Sequence, residues 1–263
     1  MEEKLLIPSK YKIPAVFTRP DNDLKTPTVI LCHGTGSNKD EVGNIFVMLA
    51  EALKARGIAS IRFDFAGSGE RKARMQDYTF YGAVSDTEAI YKYLCNLDNI
   101  DSGKIGILGF SQGARVMAEF LGKYPGKIKA AVSWSGACHN GEGVFGGWFK
   151  EYYEEASNNG YARIPLFWRD DLLLSKTWFD EIRASNPLVS LSKFKGALLA
   201  ISGREDELVP YMHAEEIANA SGGKVKEYKI ILKANHTFNI LEKDKSLAKM
   251  VLEYTADWIK TYL

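Results

Sequence analysis

Short apolar runs alternate with longer stretches of helical spacing along the 263-residue chain. Residues 3–7 and 12–18 read as two strands joined at Pro8-Ser9. Thr28 to Cys32 is apolar after its first residue, the pattern of a strand covered on both faces. From 40 to 56, Val42, Ile45, Phe46, Leu49 and Leu53 recur at helical spacing, and Gly57 stops the run. The alternation continues with a strand over 58–63, a helix over about 82–96, a strand Lys104 to Phe110, a helix over 112–124 ending before Pro125, and a strand Ile128 to Trp134. It breaks after Gly136 and resumes with a strand at 197–202, a helix at 211–220, a strand at 225–232 and a helix at 246–262. Strands alternating with helices predict an α/β fold with a mostly parallel central sheet flanked by helices. No helix separates the first two strands, which predicts an antiparallel edge.

The irregular block has its own composition. Residues 137–190 hold ten aromatics in 54 positions, whereas aromatics make up 12% of the whole chain. It is expected to be a cap (lid) inserted after the sixth strand, with residues 1–136 and 191–263 forming one core domain. Some of its rings should line a substrate pocket, with Trp148, Phe149 and Trp168 as candidates, while others pack the insertion itself.

Composition narrows the class of function. With 34 basic and 33 acidic residues the net charge is +1, which gives no electrostatic case for nucleic acid or an anionic membrane as partner. Three cysteines exclude a disulfide-rich scaffold, and the odd count fits a reducing compartment. The chain starts Met-Glu-Glu-Lys with only three apolar residues following, unlike a signal peptide, and no window approaches the ~20 apolar residues of a membrane span. A cytoplasmic location is therefore expected. A homodimer is left open.

Gly109-Phe110-Ser111-Gln112-Gly113 matches Gly-x-Ser-x-Gly between an apolar strand and a helix. A nucleophile elbow needs this sharp strand-to-helix turn, with glycines where the backbone is cramped. The competing reading is a serine that merely caps the helix. Serine is a weak nucleophile and needs a base. Of the four histidines, His33 ends a strand, His139 lies in the insertion and His213 begins a helix. His236 follows the last strand, where a loop can overhang the elbow, and is the best candidate. The base needs an orienting carboxylate. Asp206 lies on a strand-end loop about 30 residues earlier, with Glu205 and Glu207 as close competitors; side-chain alternation separates 206 from both.

The order Ser111, Asp206, His236 is that of α/β-hydrolases. His33-Gly34-Thr35-Gly36-Ser37-Asn38-Lys39 after the third strand, Arg62-Phe63-Asp64-Phe65-Ala66-Gly67-Ser68-Gly69 after the fourth, and Gly203-x-x-Asp206-x-x-Val209-Pro210 agree with it. On these residues the chain resembles the α/β-hydrolase superfamily over nearly its whole length. Within it, the chain is most similar to small carboxylesterases of the cinnamoyl (feruloyl) esterase type. The resemblance implies Ser111 as nucleophile, His236 as base and Asp206 as its partner. It further implies an oxyanion hole from the backbone N–H groups of Thr35 and Gln112, a small-molecule ester substrate, and no cofactor. The groups that hold a phenolic hydroxyl in cinnamoyl esterases do not align with this insertion, so feruloyl specificity stays open.

Other motifs carry less. Gly141-Glu142-Gly143-Val144-Phe145-Gly146 matches a dinucleotide fingerprint but lies inside the insertion, away from a first strand–helix turn. Cys138-His139 has no second Cys/His pair at ligand spacing, so no metal site is expected. Cys32 and Cys95 fall in apolar elements and read as buried thiols. The rival functions are a serine peptidase of the acylaminoacyl or dipeptidyl type, an acyltransferase, and a non-catalytic binding protein on the same fold. The complete set of triad residue types argues against the last.

Overall fold

The structure, a computed structural model, describes residues 1–21, 24–139, 143–166 and 169–263. The chain begins with β1 (Glu2–Ile7), β2 (Ile13–Thr18) and β3 (Thr26–Cys32), followed by α1 (Ile45–Lys54) and β4 (Ala59–Phe63). Next come α2 (Phe80–Cys95), β5 (Ile100–Phe110), α3 (Gln112–Lys123) and β6 (Ala130–Trp134). The stretch after β6 carries α4 (Gly143–Asn159), β7 (Tyr161–Ile164), β8 (Leu172–Ser175), α5 (Lys176–Ala184) and α6 (Pro187–Ser192). The chain ends with β9 (Ala197–Gly203), α7 (His213–Ala220), β10 (Lys226–Ile231) and α8 (Ser246–Tyr262).

Eight strands form one sheet in the order β1-β2-β4-β3-β5-β6-β9-β10. β1 and β2 pair antiparallel, as does β2 with β4, so the expected antiparallel edge is present; the remaining pairs are parallel. Alternate strand residues feed two separate cores. Val29, Leu31, Leu108 and Phe110 pack toward α1 and α8, whereas Ile30, Cys32, Ile105 and Ile107 pack toward α2, α3 and α7. From β3 the chain moves outward to β4, then crosses back to β5 on the other side of β3. That reversal is a topological switch point, where the carboxyl ends of β3 and β5 open a crevice suited to ligands.

One helix is shorter than its apolar spacing predicts. Residues 40–44 do not join α1, because Glu41, Gly43 and Asn44 all adopt φ of 60° and form a 3-10 turn instead. α2 starts at Phe80, ahead of the predicted 82, because Thr79 caps it through a 3.0 Å bond from the Gly82 N–H.

The block after β6 is held by its own rings. Phe149 stacks on Trp178, and Trp178 and Phe179 meet edge-on at 4.9 Å. Trp148 and Tyr153 complete the cluster. β7 and β8 form a separate antiparallel hairpin. Both ends of the block converge on Arg115 of α3. Its buried guanidinium donates to Ser185 Oγ at 2.9 Å, to the Ile182 carbonyl at 3.1 Å and to the His139 carbonyl at 3.4 Å. Burial pulls the guanidinium down to about 10, so it stays cationic at neutral pH. Among the described residues no helix is long and apolar enough to cross a membrane.

Candidate active site

Ser111 sits between β5 and α3 with φ 54° and ψ −118°. This is a strained conformation for a residue with a side chain, and such strain persists only where the surroundings fix it. Here they do. The Ser111 N–H donates to the Trp134 carbonyl at 2.8 Å, and the Ser111 carbonyl accepts from Ala114 N at 3.1 Å. A Cβ at Gly109 would collide with the Gly113 carbonyl oxygen and with Ala114, and one at Gly113 would collide with the Cys32 carbonyl oxygen. Both glycines of the motif are therefore required by the close approach of β5, α3 and β3. The serine sits at the N-terminal end of α3, as an elbow requires.

His236 and Asp206 come together at the same end of the sheet. His236 Nδ1 lies 2.8 Å from Asp206 Oδ2. A carboxylate only accepts, so Nδ1 is the donor in this pair. Asp206 Oδ1 accepts from the backbone N–H groups of Leu208 and Val209, each at 2.9 Å, and the carboxylate is fully shielded from solvent. Glu205 and Glu207 are exposed, as the alternation argument requires. The His236 carbonyl accepts from Ser135 Oγ at 2.8 Å, and its ring packs on Phe110 at 5.1 Å.

Thr35 and Gln112 also meet, since Thr35 Oγ1 donates to Gln112 Oε1. Gln112 opens α3, so its backbone N–H belongs to the helix end that lacks intrahelical acceptors. The loop carrying Thr35 is organised by Glu41, a residue without a sequence signal. Its carboxylate accepts from Gly34 N at 2.5 Å, Ser37 Oγ at 2.8 Å and Val42 N at 2.8 Å. It does so from a φ of 60° and ψ of 173° that only glycine adopts freely.

A cavity of about 520 Å³ opens over these residues, within the range of small-molecule sites. Thr35, Ser111 and His236 line it together with Trp148, Arg169 and Leu208. Trp148 therefore borders the same cavity as Ser111 and His236. Phe149 instead borders a separate cavity of about 20 Å³ with Gln112, Arg115, His139 and Trp178. Trp168 lies outside the described residues. Arg169 donates to the Gly36 carbonyl and joins the hairpin to the Thr35 loop.

The remaining histidines play other parts. His33 is buried, with Nδ1 2.8 Å from the Gly34 carbonyl and Nε2 accepting from Phe65 N at 3.1 Å. Burial holds its pKa below the ordinary histidine value, against the pull of the Glu41 and Asp64 carboxylates. His213 is a buried residue at the start of α7. Cys32 is buried and its thiol is pushed up to about 12, whereas Cys95, expected to be buried, is exposed at the end of α2.

The chain is similar to several known proteins. Acylamino-acid-releasing enzyme 1 of Oryza sativa subsp. japonica is 24% identical over 238 residues, covering 87% of this chain and 29% of that protein. Esterase FrsA of Vibrio cholerae is 24% identical over 235 residues, covering 83% of this chain and 51% of that protein. The chain thus spans about half or less of the length of these curated relatives. Among solved structures, Est1E from Butyrivibrio proteoclasticus with ferulic acid bound superposes with a TM-score of 0.79 at 20% identity, covering 98% of each chain. A family model described as alpha/beta hydrolase fold matches residues 27–165. That match takes in the Thr35 loop and the Ser111 elbow and covers more than half of the sequence, and by it the chain belongs to the alpha/beta hydrolase family.

Proposed function

We propose that the protein is a serine carboxylesterase acting on esters of small or aryl carboxylic acids through an acyl-enzyme. The observation that carries this reading is the 2.8 Å His236–Asp206 contact on the wall of the cavity that also exposes Ser111. Ser111 Oγ attacks the ester carbonyl while His236 Nε2 takes its proton. The Asp206 carboxylate stabilises the resulting imidazolium and keeps the ring oriented. The backbone N–H groups of Thr35 and Gln112 receive the oxyanion; removing one such donor typically costs about 3–4 kcal/mol of transition-state stabilisation. Collapse expels the alcohol, which takes the proton from His236. Water, deprotonated by the same imidazole, then attacks the acyl-enzyme, and the acid leaves as Ser111 recovers its proton.

Residues 137–190 act in this scheme as a cap that shapes the acyl pocket, with Trp148 as its cavity-facing ring. The aryl part of the proposal draws support from the ferulic acid held by Est1E on the same fold. Amide hydrolysis is a second reading, favoured by the similarity to the acylamino-acid-releasing enzyme. A panel of short acyl esters, hydroxycinnamate methyl esters and aminoacyl anilides, assayed with wild type and Ser111→Ala, separates the two. Ester turnover that disappears in Ser111→Ala is expected. Anilide turnover without ester turnover favours the peptidase, and activity retained by Ser111→Ala overturns both.

A further inference from the structure

Outside the cavity, the adjacent Cys138 and His139 meet His213, a residue distant in sequence, in the fold. Cys138 and His139 follow β6, and His213 opens α7. Cys138 Sγ and one nitrogen from each histidine all lie within 4.8 Å of one another. Cys138 and His213 are buried, and His139 forms the rim. A tetrahedral ion with a metal–sulfur bond of about 2.3 Å and metal–nitrogen bonds of about 2.0 Å needs donor separations of roughly 3.5 Å. The three donors therefore have to close by only about an ångström. The expectation from sequence spacing, that Cys138-His139 lacks partners, fails to foresee α7 because His213 is 74 residues further along the chain than His139.

The surroundings are those of a ligand set. Glu216, three residues after His213 on α7, places Oε2 2.6 Å from His139 Nε2. A carboxylate on the far nitrogen of an imidazole fixes its tautomer and raises the basicity of the other nitrogen, the arrangement found behind metal-bound histidines. His139 Nδ1 is then the ligating atom. His213 Nδ1 lies 3.3 Å from the Cys138 backbone N–H, a long contact that an ion on Nδ1 would replace.

We propose that Cys138, His139 and His213 bind one thiophilic divalent ion of the zinc type, with Glu216 orienting His139 from behind. One thiolate and two imidazoles suit zinc and its neighbours and disfavour magnesium or calcium, which take oxygen ligands. Thiolate and carboxylate together balance the two charges of the ion. The fourth coordination position belongs to water. The ion would pin residues 138 and 139, where the chain leaves the sheet after β6, onto α7 of the core. The proposal is independent of the esterase reading, because none of its ligands lines the Ser111 cavity.

The test uses tag-free, chelator-stripped protein titrated with Zn²⁺ and, as a spectroscopic probe, Co²⁺. One ion per chain is expected, with a rise in Tm on binding and a near-ultraviolet thiolate-to-cobalt charge-transfer band. Cys138→Ser should abolish that band. Glu216→Gln should keep it while weakening affinity by about 10–100-fold, the usual effect of losing such a partner. If Cys138→Ser fails to fold, His139→Asn on the rim must still lower affinity at least tenfold. The proposal is overturned if no ion is retained, if bound Co²⁺ shows no thiolate band, or if His139→Asn binds as wild type does. Ester turnover by Ser111→Ala bears only on the esterase reading, so the two can fail separately.

Discussion

Two walls of the 520 Å³ cavity are built on different terms. On the core side each reactive group stands at the end of a strand locked into its neighbours. Ser111 hangs from the β6 end by its 2.8 Å bond to Trp134, and Ser135 from β9 by a 2.8 Å bond to Ile201. Strained φ values at Ser111 and Glu41 are tolerated because hydrogen bonds and close backbone contacts over-determine them. On the opposite side, the block after β6 is a cluster of rings and a two-stranded hairpin. Its buried rings join the apolar cluster packed on α2 and α3, and its polar links to the core run through side chains, among them Arg115, Arg169 and Glu181, whose Oε2 accepts from Tyr81 N. Acyl transfer needs reacting atoms placed to a fraction of an ångström, which backbone ladders deliver. Selecting an acyl group needs only shape and apolar surface, which packed rings supply. Changes on the core side should therefore reach kcat for every substrate, and changes on the insertion side should reach KM for some.

The largest effect belongs to the nucleophile. Ser111→Ala should lower kcat by about 10⁴–10⁶ on all esters with the fold intact, measured by steady-state kinetics alongside circular dichroism. Asp206→Asn should cost on the order of 10⁴ in kcat, since the imidazole loses its orienting anion. The exposed Glu205→Gln and Glu207→Gln should stay within about twofold of wild type. If either of those is the crippling change, the acid is misassigned.

Glu41→Ala comes next. It leaves Gly34 N, Ser37 Oγ and Val42 N without their acceptor and loosens the loop bearing Thr35. A fall in kcat of roughly 10–100-fold, less than for outright loss of an oxyanion donor, is expected, together with a matching loss of affinity for a trifluoromethyl ketone. A drop in Tm with unchanged kcat well below the transition would make Glu41 a folding residue alone.

Trp148→Ala sharpens the contrast from the other wall. It should raise KM about tenfold for aryl esters and leave turnover of an acetate ester nearly unchanged, because remote binding is lost while the triad is intact. An equal effect on every substrate would assign Trp148 to the insertion's own packing with Trp178.

The smallest effect is on stability in acid. His33 is held neutral by burial, so its folded pKa lies below the unfolded value of about 6.5. The unfolded chain then binds a proton first. The contribution of His33 is full above that pH and is lost as pH falls through it toward the lower folded value. Tm should decline across that window in wild type and decline less in His33→Gln. Parallel acid limbs would show that His33 takes no part.

The fold was legible because its signals are local. Thr28 to Cys32 and Ile105 to Phe110 carry the apolar runs of buried strands, and Gly109 and Gly113 mark the place where β5, α3 and β3 crowd together. The proposed triad, Ser111, Asp206 and His236, was chosen from the ends of those strands and from how few histidines the chain has. What could not be read depends on loop geometry and on contacts distant in sequence. Glu41 lies in a stretch whose apolar spacing looks helical, whereas its bonds to Gly34, Ser37 and Val42 hold it in a strained loop conformation. Arg115 reads as an ordinary helix cation until the fold brings Ile182, Ser185 and His139 to it. Phe149 and Trp148 are adjacent and equally aromatic, yet they border different cavities, because successive residues on α4 point about 100° apart.

The central claim is that ester cleavage runs through an acyl group on Ser111, and trapping that intermediate tests it most directly. Wild type should be quenched in acid during turnover of a nitrophenyl ester, digested and mapped by mass spectrometry. The account predicts an acyl adduct confined to the peptide containing Ser111, and absent from Ser111→Ala. An adduct on another residue, or sustained ester turnover by Ser111→Ala, would contradict it.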